Sequence, residues 1–116
     1  MYKLEIIHKG EKKRIGVLAK GKRSDAKKYI ESWGPTLKAQ LKRMAKYGKI
    51  ETGDLFHHLR DKIYEFKPKN ARLYCFFHND IVICTHGANK TKKKREDLEI
   101  KKAIRMRKEF CRQIND

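Results

Sequence analysis

The alternation around one two-residue turn constrains this chain more than any other feature. Arg72-Leu-Tyr-Cys-Phe-Phe precedes Asn79-Asp80, and Ile81-Val-Ile-Cys-Thr-His follows it. Apolar and branched residues with a period of two, split by a pair that tolerates positive φ, predict a tight antiparallel hairpin. Counting outward from the turn sets Phe77 against Val82, Cys75 against Cys84 and Leu73 against His86. Leu73, Cys75, Phe77, Val82 and Cys84 then share one wholly apolar face that needs helices to cover it. Arg72, Tyr74, Phe76, Ile83 and Thr85 share the other. That second face mixes aromatics with a cation and leads toward Lys90, so it is expected to be an open groove that stacks bases and binds phosphates.

The remaining elements are placed around this hairpin. Ile63–Lys67 predicts a third strand, joined through Pro68-Lys-Asn70. Tyr2, Leu4 and Ile6 alternate with charged residues and predict a strand at the start of the chain. Residues 9–23, Gly- and Lys-rich around Ile15–Leu18, fit a loop or a short strand equally. Ser24 is a good helix N-cap, and Ala26, Tyr29, Ile30 and Trp33 follow at helical spacing. Gly34-Pro35 ends that helix and opens a second with Leu37, Leu41, Met44 and Ala45 on one stripe and Gly48 as its stop. Residues 49–58 read as a connection. A last helix is expected over about 96–114, with Ile100, Ala103, Ile104, Phe110, Cys111 and Ile114 on its apolar face and Arg107 misplaced in the middle of it. The fold class is α+β: a helical hairpin packed on a small curved, mostly antiparallel sheet, with a C-terminal helix. At 116 residues, a single domain over 1–116 is expected.

Charge points to the partner. Lys and Arg number 31 against 14 Asp and Glu, a formal net charge of +17. So lopsided a balance favours a polyanion, because each cation laid on a phosphate releases counterions. Three cysteines without a CxxC pair suit a reducing compartment. The N-terminus does not read as a leader, and no run approaches membrane-spanning length, so the cytoplasm is expected and no membrane. None of the histidines (His8, His57, His58, His78, His86) has a cysteine at finger spacing, so neither a metal site nor a cofactor is expected.

Metal-free RNA cleavage needs a base for the 2′-hydroxyl, cations for the charge on phosphorus and an acid for the leaving 5′-oxygen. Arg72 is the best phosphate clamp, since guanidinium is planar and bidentate. Lys90, Lys92, Lys93, Lys94 and Arg95 crowd positive charge into one stretch, where repulsion lowers a lysine pKa. Tyr64 and Tyr74 can stack a base or pack, and Glu65 can orient a cation or pair with Lys67. His78 and His86 sit at strand ends as candidate catalytic imidazoles, whereas His57-His58 reads as structural. The bland reading of the lysine run is a solvated stretch that binds RNA without chemistry.

These residues, in this order, resemble the phage-derived branch of the RelE/HigB toxins of type II toxin–antitoxin systems. The family pattern runs Leu-x-x-Gly-Leu-Tyr-Glu-Leu-Arg, an Arg opening the next strand, His-Gly-Phe, then Lys-Lys-Thr-x-Lys-Thr-Pro and Glu-Ile. Leu59, Ile63, Tyr64, Glu65, Arg72, His86, Gly87, Lys90, Lys94, Glu99 and Ile100 follow it. Lys67, Ala88, Thr91 and Glu96 depart from it. The resemblance implies a RelE-like fold and a ribosome-dependent mRNA endonuclease that inhibits translation. A cognate antitoxin, commonly a helix-turn-helix protein, would neutralise it, with room for an oligomer of the two. By that resemblance Arg72, Lys90 and Lys94 are expected to be catalytic, and Glu65, Lys67, Tyr74, Lys92, Lys93 and Arg95 to contact nucleic acid. Two other readings stay open: a ParE-like gyrase poison of the same fold, and a noncatalytic basic RNA-binding protein.

Overall fold

Two helices in the middle of the chain and one at its end take opposite faces of a single sheet. The computed structural model describes residues 1–115. The chain runs β1 (Lys3–Lys9), β2 (Arg14–Ala19), α1 (Asp25–Trp33), α2 (Pro35–Tyr47), β3 (Phe56–Arg60), β4 (Ile63–Phe66), β5 (Ala71–His78), β6 (Ile81–Asn89) and α3 (Lys93–Asn115). The six strands form an open sheet in the order β1-β2-β6-β5-β4-β3. Every pairing is antiparallel except β2 with β6. The architecture is therefore the expected α+β one, three helices on a mostly antiparallel sheet.

Ser24 caps α1 as its residue type suggests: its Oγ accepts from the Lys27 amide at 3.2 Å and donates to the Leu18 carbonyl at 2.8 Å. Gly48 closes α2 at φ 80, and its amide donates to the Met44 carbonyl. Asn79 takes φ 54 in the β5–β6 turn.

Residues 9–23, undecided from the sequence, contain the central strand β2. Its Ile15 and Val17 are fully buried against the hairpin helices, and Leu18 lies on the other face. The supposed connection 49–58 contains the start of the edge strand β3, held by pairing with β4. The last helix opens at Lys93, three residues before the expected start. Its buried stripe is Ala103, Met106 and Phe110, while Ile114 is exposed.

The hairpin helices cover the apolar face, where Leu73, Cys75, Val82 and Cys84 meet Ala26, Ile30, Leu37, Leu41, Met44 and Ala45. The second face is not open, in contrast to the expected groove. α3 lies across it and seals Tyr74, Phe76, Ile81 and Ile83 beneath Ala103, Met106 and Phe110. An aromatic sheet face of this size costs too much exposed to water when an amphipathic helix is available to cover it. α3 is tied at both ends. Gln113 exchanges hydrogen bonds with the Tyr2 backbone at 2.7 and 2.8 Å, and Arg60 meets Asp97 at 3.5 Å. Arg107 lies over the Phe76 ring, 5.9 Å from its centroid. Among the described residues no helix is long and apolar enough to cross a membrane.

Candidate active site

A row of polar residues crosses four strands beneath the start of α3. Cα pairings align His86 on β6, Tyr74 on β5, Glu65 on β4 and His57 on β3. Directly paired residues share a face, so all four point toward α3. The His86 end depends on a β-bulge: Cys75 pairs with Cys84 but Tyr74 pairs with His86, leaving Thr85 as the extra residue. The pairing of Leu73 with His86 expected from counting is thereby moved to Leu73 with Gly87, and His86 turns from the hairpin face to the α3 face. Phe77 with Val82 and Cys75 with Cys84 pair as counted. Both thiols are buried and free, and burial raises their pKa, to about 12 for Cys84.

Glu65 anchors the row. Its Oε2 lies 3.0 Å from His57 Nε2 and its Oε1 3.9 Å from Arg72 Nε. Burial raises the Glu65 pKa, against the pull of His57, Arg72 and Lys67, while Glu96 on α3 pushes the same way as burial. His57 Nδ1 lies 3.2 Å from the Gly53 carbonyl. A carbonyl only accepts, so Nδ1 carries a proton. The pair is thus placed for proton transfer, with His57 about one-third exposed and able to meet a substrate.

Arg72 is not the open clamp expected. Only 8% exposed, it donates from Nη1 to the carbonyls of Ala71 at 2.7 Å, Lys69 at 3.0 Å and Lys67 at 3.5 Å. It ties down the 67–71 turn and sets a positive charge beside Glu65. Its backbone amide donates to Tyr29 Oη at 3.1 Å, and that hydroxyl donates to Asn89 Oδ1 at 2.8 Å. Tyr29 fits because residue 87 is glycine: a Cβ there would lie 2.0 Å from the tyrosine ring.

The expected cations separate into two groups. Lys67, two residues from Glu65 on the same face, is half-buried, and its amide donates to the Leu55 carbonyl at 2.8 Å. Lys90, Lys92, Lys93, Lys94 and Arg95 are all exposed. The Lys90 amide donates to the Asn70 carbonyl at 2.7 Å, which holds it beside the turn that Arg72 closes. The Lys92 carbonyl accepts from the Arg95 and Glu96 amides and so begins α3, whose first turn carries Lys93, Lys94 and Arg95. The partial positive charge of a helix N-terminus adds to theirs.

Tyr74 leaves the set of base-contacting residues. It is 2% exposed, its ring stacks on His86 with centroids 5.0 Å apart, and burial raises its phenol pKa. His86 is equally enclosed. Thr85 Oγ1 donates to the Tyr74 carbonyl, so it accepts from His86 Nδ1. Nε2 is then a bare lone pair, 3.4 Å from Glu99 Oε1 without a hydrogen bond, and burial lowers the His86 pKa to about 4. His78 stands at the far end of β5, edge-on to Phe110.

His57 is the residue that sequence reasoning missed. The turn at Asp61-Lys62 pairs Arg60 with Ile63, and plain counting from there sets His58 against Glu65. A second irregularity, between His58 and Arg60, brings His57 there instead.

The family model described as "Phage derived protein Gp49-like (DUF891)" matches residues 36–108, from the start of α2 through most of α3, and so spans the row, the 67–71 turn and the cations. No curated protein matches the chain.

Proposed function

The chain belongs to the phage-derived Gp49-like family, a family of the toxin–antitoxin type, and from that premise we propose that it is a toxin that cleaves mRNA on the ribosome without a metal. The observation that carries this reading is the 3.0 Å contact between Glu65 and His57, beside Arg72 and below a cationic helix start. In the proposed reaction the pair takes the proton of a ribose 2′-hydroxyl as its oxygen bonds to phosphorus. The bond from phosphorus to the 5′-oxygen breaks, and that oxygen takes a proton from an ammonium, Lys90 or Lys94. The products are a 2′,3′-cyclic phosphate and a 5′-hydroxyl end. Arg72 and the lysines stabilise the charge gathering on phosphorus, and Lys67, Lys92, Lys93 and Arg95 hold neighbouring phosphates. A cognate antitoxin keeps the activity in check in the cytoplasm. A gyrase poison working through protein contacts would have no use for a buried acid set against an accessible imidazole.

The test is primer extension on a defined mRNA in a reconstituted translation reaction, with and without ribosomes. Discrete breaks that need ribosomes, end in 5′-hydroxyls and vanish with Glu65→Gln or with Lys90→Ala plus Lys94→Ala are the expected result. Intact mRNA with the wild-type protein overturns the reading.

A further inference from the structure

The 49–55 segment, which leads to His57, helps to line a cavity of about 330 Å³. That is the small end of the range for ligand sites, about 300–1,000 Å³, and suits one ring system better than an extended molecule. Tyr47, Ile50 and Leu55 supply apolar walls, Glu51 and Thr52 polar ones, and Arg43 and Lys49 cations, with Lys49 Nζ paired to Glu51 Oε1 at 3.1 Å. Tyr47 ends α2 and is 56% exposed, the one aromatic among the large exposed apolar side chains of the described residues. Arg43 lies one helical turn earlier, on the same side of α2. Lys46 Nζ stands 5.3 Å from the Tyr47 ring centroid.

The wall of this cavity is shared with the catalytic row. The Thr52 carbonyl accepts from the amides of Leu55 and Phe56, which folds the segment into a turn. Within that turn the Gly53 carbonyl faces His57 Nδ1, and the Leu55 carbonyl accepts from the Lys67 amide. A flat ring held against Tyr47 thus sits one short turn away from the imidazole that contacts Glu65.

We propose that this cavity is a nucleobase subsite, which stacks one base of the RNA strand on Tyr47 and holds that nucleotide's phosphate with Arg43. The inference rests on the RNA-cleavage reading and deepens it. Every base has a π-face and the bases differ modestly in stacking strength, so an exposed tyrosine holds any of them with a slight preference, and the Arg43 guanidinium at the rim suits a phosphate better than it suits an apolar protein surface.

The experiment follows cleavage of an mRNA pool, randomised around the cut, in the reconstituted translation reaction. It compares wild type with Tyr47→Phe, Tyr47→Ala and Arg43→Ala. Tyr47→Ala is expected to raise KM by about tenfold or more and to flatten the base preference at one fixed distance from the cut. Arg43→Ala should raise KM alone, and Tyr47→Phe should keep both wild-type properties. Both side chains are exposed, so unfolding temperatures should not move. Wild-type KM and preference in Tyr47→Ala overturn the subsite and leave the nuclease standing. A raised KM with the preference intact also overturns it, in favour of a backbone contact. Weakened antitoxin binding with cleavage unchanged makes the cavity a protein surface instead. No cleavage by the wild type removes subsite and nuclease together.

Discussion

The two faces of the sheet solve the same burial problem with different chemistry. The core on the hairpin side is made of apolar residues throughout, from Ile15 and Val17 on β2 to Leu73 and Cys75 on β5. The α3 side is apolar only toward the far end of the helix, under Met106 and Phe110. Toward the helix start it carries Glu65, Arg72, Thr85 and His86, all buried. Buried polar groups of this kind oppose stability unless partnered, so their concentration at one end of one face marks where function overrides packing. The hairpin side should therefore answer to mutation as a core, and the polar end as a site.

The largest expected effect falls on activity. Glu65→Gln should lower the cleavage rate by a factor on the order of 10²–10⁴, the usual contribution of a general base. Stability should hold or rise, because the amide brings no charge into a site where burial opposes one. A variant that unfolds would make Glu65 a structural partner of Arg72 and dissolve the contrast between the faces. On the other side, Phe66→Ala should cost about 3–5 kcal/mol in urea unfolding, as for any fully buried aromatic. A loss below about 1 kcal/mol there would mean that the hairpin side is not the core that packing suggests.

The hairpin side is also the part that was legible in the sequence. Alternation about Asn79-Asp80 identified β5 and β6, their first pairings and their apolar face, because a tight turn leaves the register no freedom. Ser24, Gly34-Pro35 and Gly48 marked the helix boundaries for the same reason: a cap is a local interaction. The site was less legible because nonlocal geometry assembles it. A bulge at Thr85 turns His86 over, another irregularity brings His57 to Glu65, and neither leaves a local signal. The groove was misread for a related reason. Phe76 and Ile83 look available until α3, distant in sequence, is laid over them. Arg72 was legible as a key cation, but its bonds to the 67–71 turn were not, since they depend on where that turn folds.

The polar end of the α3 face should also respond to pH in two opposed ways. His86 falls from the ordinary value near 6.5 to about 4 through burial, with Lys102 and Arg105 pushing down, Asp25 pulling up and Glu99 standing 3.4 Å away. Its unfolded form binds a proton that the folded form refuses, so stability is lost as pH falls from about 6.5 to 4, by about 3 kcal/mol in full. Glu65 has the opposite sign: its raised pKa means that stability is lost as pH climbs through the folded value. Thermal unfolding across pH 4–7 should show the acid-side slope, and His86→Gln should flatten it. If the slope survives in His86→Gln, a different group carries it.

The smallest effect sharpens the contrast most finely. Arg60 and Asp97 pair at 3.5 Å with side chains 42% and 51% exposed, at the end of α3 that lies over the polar row. Exposed pairs of this kind contribute between about 0 and 1 kcal/mol, so Arg60→Gln should barely shift the unfolding midpoint in 0.15 M salt, an ionic strength with a Debye length of about 8 Å. The buried stripe of Ala103, Met106 and Phe110 then holds α3 in place, and the helix start is free to carry its cations without a structural duty. Cleavage by Arg60→Gln should stay within about twofold of wild type, because an exposed pair near its median strength restrains the helix little. A larger fall in either measurement would mean that charge, not the apolar stripe, seats the start of α3 over Glu65. The polar end would then be part of the scaffold as well as the site.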